Sequence, residues 1–130
     1  ILMTAAQFGV IIVHEGIHGL FFKLFAPGQK VKYGFAKGMA YAGCPGVYFS
    51  KRAYVVTGLA PLFFLSLPSY LLLFTVSLGR PWGYAAIAGI FLLNSSGAAG
   101  DLYTWSKARK LPQDSYWLDT DTGCIAYVKE

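Results

Sequence analysis

The sequence predicts a mainly α-helical membrane protein with about three transmembrane helices and a small β-hairpin between the first two. Three observations carry that expectation. Of the 130 residues, 55% are hydrophobic and 17% aromatic, while 13% are charged, about half the usual share for a soluble domain. Three apolar stretches, at about 1–26, 53–78 and 82–105, are each long enough to cross a hydrocarbon core of roughly 30 Å at about 1.5 Å per residue. The stretch between the first two, 29–52, instead contains a polar and apolar alternation of period two. By length the chain is one domain, 1–130. It opens on Ile1 inside an apolar run, so it reads as a fragment with sequence missing upstream. No basic segment precedes that run and no small-residue cleavage site follows it, which argues against a signal peptide.

The first segment ends at Pro27-Gly28, a strong helix stop. Within it, Val10 to Leu20 reads VIIVHEGIHGL and holds His14, Glu15 and His18 in the spacing H-E-x-x-H. On a helix, positions i and i+4 share a face, so both imidazoles reach one ion. Glu15 projects beside that ion, where a carboxylate can take a proton from an activated water. The chain has 2 histidines, and both are here. Of its 6 acidic residues, only Glu15 and Asp101 precede Asp114, each in strongly apolar surroundings. Ionisable groups are costly in such places, so the spacing reads as a zinc site rather than a chance pair of core histidines. Gly16 and Gly19 keep this turn free of bulk, which suits close approach of another element as well as simple tolerance of glycine in membrane helices.

In the 29–52 loop, Val31, Tyr33 and Phe35 alternate with Lys32 and Gly34. Lys37-Gly38 can turn that strand and Met39 to Ala42 can return it. Cys44-Pro45-Gly46 is a second turn, followed by the β-prone Val47-Tyr48-Phe49. A β-hairpin or small three-stranded sheet is expected, with a surface loop as the plainer alternative. The second apolar segment carries no charge from Ala53 to Leu78, and Pro61 and Pro68 are expected to bend or break it. Gly79-Arg80-Pro81 is a tight connector. The third segment is apolar to Leu93 and then reads Asn94-Ser95-Ser96-Gly97-Ala98-Ala99-Gly100-Asp101. The polar tail, 106–130, is expected to be exposed, with a short strand at Ile125 to Val128. Its Asp119-Thr120-Asp121 run lacks the later ligands of a calcium loop and reads as a solvated turn.

The net charge of +5 does not mark a nucleic-acid binder, because the basic residues gather at the ends of apolar segments. Lys23, Lys30, Lys32, Lys37, Lys51 and Arg52 surround the first loop, Arg80 stands alone after the second segment, and Lys107, Arg109, Lys110 and Lys129 occupy the tail. The positive-inside rule then places 27–52 and the tail in the cytoplasm and Arg80 outside. Cys44 and Cys124 would both lie inside, where free thiols are the default.

Catalytic zinc usually takes three protein ligands and leaves a fourth place open. No third histidine exists, Glu15 is needed as base, and the tail acids are expected to be exposed. Asp101 is therefore the candidate third ligand. Asn94, seven residues earlier, falls on the same helical face. It could hold a peptide carbonyl or an oxyanion, or it could make an interhelical hydrogen bond.

Taken together, His14-Glu15-Gly16-Ile17-His18-Gly19 in a first membrane helix, a β-like loop, and Asn94 to Asp101 in a later helix resemble the site-2 protease class of intramembrane zinc metalloproteases. More closely they resemble the zincin peptidase family of small bacterial multi-pass membrane proteins. Lys32-Tyr33-Gly34-Phe35 is similar to that family's Gly-Phe strand, Leu59-Ala60-Pro61 to its Pro-bearing helix, and Gly100-Asp101 to its third-ligand motif. Asn94-Ser95 and Asp101-Leu102 depart from the Asn-Pro and Asp-Gly usual in site-2 proteases. The resemblance implies a metalloendopeptidase of the bacterial cell membrane. It would hold Zn²⁺ on His14, His18 and Asp101, use Glu15 as general base, and act on a membrane protein or peptide towards the cytoplasmic side. Two rival readings are a non-catalytic membrane protein that keeps zinc for structure or partner binding, and a small soluble zincin. The edge of the Val31 to Phe35 strand is the expected place for an unwound substrate to pair.

Overall fold

The computed structural model describes residues 2–36, 38–75, 81–121 and 123–129, with side chains from Phe8 onward. The first segment is one helix, α1 (Leu2–Phe25). It stops before Pro27, and Gly28 takes a φ of 86° that a side chain would oppose. The hairpin follows as β1 (Lys32–Ala36) and β2 (Met39–Gly43), antiparallel with Gly34 opposite Tyr41. Of its expected turn, Lys37 lies outside the described residues, and Gly38 adopts a φ of 80°. Tyr33 packs so closely on Gly19 that a side chain there would overlap the phenol. That glycine therefore fixes how near the hairpin comes to α1.

The next short strand, β3 (Tyr48–Ser50), does not join the hairpin. It pairs with β4 (Tyr116–Thr120), which pairs with β5 (Gly123–Tyr127), making a second, three-stranded sheet from the loop and the tail. The tail is thus not the solvated extension expected from its polarity. Lys51 Nζ donates to the Leu111 carbonyl at 2.6 Å and its backbone amide to Ser115 at 3.1 Å. Gly46 and Val47 exchange backbone hydrogen bonds with Asp119. These partners lie far along the chain, so local polarity gave no hint of them.

The second segment begins at Lys51, because Ser50 caps it by accepting the Ala53 amide, a contact worth about 1 kcal/mol. Regular α-helix, α2 (Lys51–Pro61), runs into a π turn at Leu62–Ser66 and resumes as α3 (Leu67–Thr75). Pro61 thus marks the departure from α geometry, and the helix continues through Pro68. The connector residues Gly79 and Arg80 lie outside the described residues. The third segment is not one straight helix over 82–105. It is α4 (Pro81–Gly97) and α5 (Ala99–Ala108), bent by 44° at Ala98 between Gly97 and Gly100. That bend decides where Asp101 points.

An aromatic cluster joins sheet to helices, with Phe22, Phe49 and Ala53 buried and Tyr54 packed against them. The Phe22 and Phe49 rings lie 5.3 Å apart, and Tyr54 stacks on Trp117 at 5.4 Å. Burial of each such ring stabilises the fold by about 1.5–3 kcal/mol. Two helices, Phe8–Phe25 within α1 and Lys51–Thr75, are long and apolar enough to cross a membrane, and the bent α4–α5 pair would make a third.

Candidate metal centre

Helix α1 presents His14 and His18 on one face, one turn apart, against α2 and α4. Both imidazoles are buried. Their Nε2 atoms stand 3.1 Å apart, and Asp101 Oδ2 lies 3.4 Å from the first and 3.5 Å from the second. Among the described residues these three form the one group of histidine and acidic side chains arranged to hold a metal ion. Ligands at about 2.0–2.1 Å around a tetrahedral zinc stand roughly 3.3 Å from one another, so the triangle has the size such an ion needs.

The protonation pattern points the same way. His14 Nδ1 meets Asn94 Oδ1 at 2.8 Å, and His18 Nδ1 meets the Thr57 carbonyl at 2.9 Å. Both partners accept only. The Asn94 orientation is set by its amide nitrogen, which donates to the Pro61 carbonyl at 3.0 Å and to Ser66 Oγ at 2.9 Å. Each imidazole therefore carries its proton on Nδ1 and turns a lone pair at Nε2 towards the other and towards a carboxylate. Three electron-rich atoms facing one another repel unless a cation lies among them. The donor set, two imidazoles and one carboxylate, is that of a zinc hydrolase, so the residues fit zinc.

Glu15 lines the cavity in front of this triangle, about 300 Å³, together with Met39, Ala40, Tyr41 and Ala42 of β2. Asn94 lies elsewhere than a substrate-holding role requires. It is 1% exposed and spends its groups on His14, Pro61 and Ser66, the interhelical alternative of the two. The Val31 to Phe35 stretch expected along the cavity does not line it: β2 does so through Met39 to Ala42, and β1 contributes Ala36 at its end.

Asp119, expected in a solvated turn, is 4% exposed. Its carboxylate accepts from the Cys44 amide at 2.5 Å and from the Tyr54 hydroxyl at 2.9 Å. It also borders the cavity and a smaller chamber of about 90 Å³ behind His18. A signal for it existed: Trp117 and Asp119 are two apart in a β-prone run, so one buried face takes both. Asp121 stays exposed, 3.5 Å from Lys32. Cys44 and Cys124 are free thiols, and burial pushes both above the usual thiol range, which leaves them poorly reactive.

Burial also pushes the Asp119 carboxyl up, against the opposing pull of the Cys44 amide and the Tyr54 hydroxyl. A carboxyl raised in the folded state supports folding at low pH and loses that contribution as pH rises from about 4 through its raised value. The thermal midpoint of metal-free protein should therefore fall between mild acid and neutrality by more in the parent than in Asp119→Asn. Equal falls would mean that Asp119 is not the source.

Two buried histidines and the half-buried Asp101 carboxylate, with Glu15 one residue along, form a group that could hold a metal ion. Residues 7–116 match the family described as "Putative zincin peptidase", and the chain belongs to that family. Comparisons with curated proteins and with solved structures find no match. The matched region includes every residue of the metal triangle and ends where β4 begins, so Asp119 lies beyond it.

Proposed function

We propose that the protein is a membrane-embedded zinc metallopeptidase organised like the site-2 protease class. The observation that carries this reading is the triangle of His14, His18 and Asp101, with Glu15 beside it and facing the cavity. What zinc supplies when bound there is Lewis acidity and a more acidic water. His14 and His18 would hold the ion through Nε2, and Asp101 would complete the set and offset its charge. Glu15 takes the proton of the attacking water and delivers it to the leaving amine. Asn94 acts one step further out, fixing the tautomer and ring angle of His14.

The surface supports a lipid setting. Ile12, Leu20, Phe74 and Leu92 are each at least 64% exposed, while Asn94, Thr57 and Ser66 are buried. That distribution is reversed from a soluble core, and large exposed apolar surface needs a partner or a bilayer. The basic loop and tail would then face the cytoplasm, with the metal site towards that side.

The cavity also offers a way to hold a substrate. The Cys44 amide points away from β1, to Asp119. Strand alternation sets the amides of Ala40 and Ala42 on that same free side, beside Glu15. An unwound peptide can pair there through main-chain bonds, which give affinity with little side-chain specificity. Ala40→Pro deletes one outward donor and leaves the ladder to β1 in place, a substitution that an edge strand tolerates. With zinc-loaded protein in detergent, the variant should lose far more rate on a helical membrane substrate than on a short extended peptide. Equal losses would mean that the edge only supports the fold, and a parent that cleaves neither substrate would overturn the hydrolase reading.

A further inference from the structure

The second imidazole of the site is held by a backbone carbonyl, and backbone carbonyls inside helices are ordinarily occupied. In an α-helix the carbonyl of residue i accepts the amide of residue i+4. For Thr57 that residue is Pro61, which has no N–H. The amide that follows, on Leu62, donates to Leu59 instead. Thr57 is 1% exposed, and a buried carbonyl left without a donor is strongly disfavoured. His18 Nδ1 fills the place at 2.9 Å. One turn on, the carbonyl of Pro61 itself accepts from Asn94, whose oxygen in turn accepts a hydrogen bond from His14 Nδ1. Both histidines are thus oriented by the backbone around a single proline, which is itself fully buried.

We propose that Pro61 is a positioning residue of the metal centre: the N–H it lacks leaves the Thr57 carbonyl to His18, which fixes the tautomer that turns Nε2 to the ion. The inference rests on the reading of His14, His18 and Asp101 as a metal site, and it adds a residue that touches neither metal nor substrate. An amide at position 61 would draw the Thr57 carbonyl along the helix axis and away from His18. Pro61 keeps right-handed helical angles, φ −62° and ψ −34°, and the π turn at Leu62–Ser66 begins only after it, so an amide at 61 would stand where it can reach that carbonyl.

The test separates the missing donor from the missing ring. Two full-length proteins are made, Pro61→Ala and the same position carrying lactic acid, which has the alanine side chain and an ester oxygen in place of the amide. Both lose the ring, and only the alanine protein has the N–H. Zinc affinity is measured by competition with a chelator, and the imidazole tautomers are read in metal-free protein from nitrogen-labelled histidine. With 2 histidines in the chain the spectrum is simple. Pro61→Ala should bind zinc about 10–100-fold more weakly, the range for loss of an outer partner of a metal-bound histidine, and His18 should populate both tautomers. The lactic acid protein should return to within a few-fold of the parent, with the proton of His18 back on Nδ1. Pro68→Ala, whose freed carbonyl belongs to Phe64 away from the site, should match the parent. Affinity and tautomers unchanged in Pro61→Ala would overturn the proposal, as would equal loss in the alanine and lactic acid proteins, which would assign the effect to ring packing. A parent that binds no zinc would instead sink the reading of the site and this inference with it. The tautomer signal, read without metal, shows which of the two has failed.

Discussion

The Glu15→Gln protein is expected to carry zinc near one per chain and to hydrolyse almost no peptide. The reason is geometric. Glu15 lies beside the metal triangle but contributes no atom to it, and its carboxylate faces the cavity next to Ala42 of β2. Glutamine keeps the size and the hydrogen-bonding oxygen of that side chain and removes its capacity to accept a proton. General acid–base catalysis by a positioned side chain contributes about 10²–10⁴-fold, and the rate should fall by at least that much while metal content holds. His14→Ala should lose metal and activity together. Metal analysis and a peptide-cleavage assay on the same preparations decide the matter. Full activity in Glu15→Gln would remove the proposed mechanism. Retained zinc with no hydrolysis even in the parent would favour a protein that keeps zinc for structure or partner binding.

Loss of Asp101 should have the largest effect on the metal itself. Its Oδ2 is the third corner of the triangle, 3.4 and 3.5 Å from the two imidazole nitrogens. With alanine there, two neutral imidazoles remain to hold a divalent ion, with no carboxylate among the ligands to offset its charge. Zinc affinity should fall by more than about 100-fold, beyond the range seen when an outer partner is lost. Asp114→Ala and Asp121→Ala should bind zinc as the parent does, since both acids are exposed and outside the metal-ligating group. Asp119→Ala should disturb the tail hairpin without a comparable loss of metal, because its carboxylate is engaged by Cys44 and Tyr54. If any tail acid behaves as Asp101 is expected to, the third ligand has been misassigned.

The two kinds of acid show how differently the sequence speaks about parts of this site. Asp101 stood out because a carboxylate in an apolar stretch needs a partner, and that argument requires no neighbour to be named. Asp119 sits in a polar tail, where a carboxylate needs none, so composition argued for solvent. Only the docking of β4 against Gly46 and Val47, some seventy residues away in the chain, removes it from water. Asn94 was ambiguous for a related reason. Helical spacing put it on the face of Asp101, but the 44° bend at Ala98 turns the two in different directions. One then meets the imidazole from behind and the other from in front.

What the sequence by itself determined is everything set by spacing within one element. The H-E-x-x-H turn, the stop at Pro27-Gly28, the Lys32 to Gly43 hairpin and the long apolar helices all follow from i, i+4 geometry, period-two alternation and backbone-breaking residues. These interactions reach a few residues along the chain, so the residues alone express them. Which strand lines the cavity, which carbonyl holds His18 and whether Asp119 sees water were decided by the tertiary structure. In each case the deciding partner is remote: β2 against α1, Thr57 against His18, Cys44 against Asp119. A residue's own chemistry states what partner it needs. Packing alone states which partner arrives.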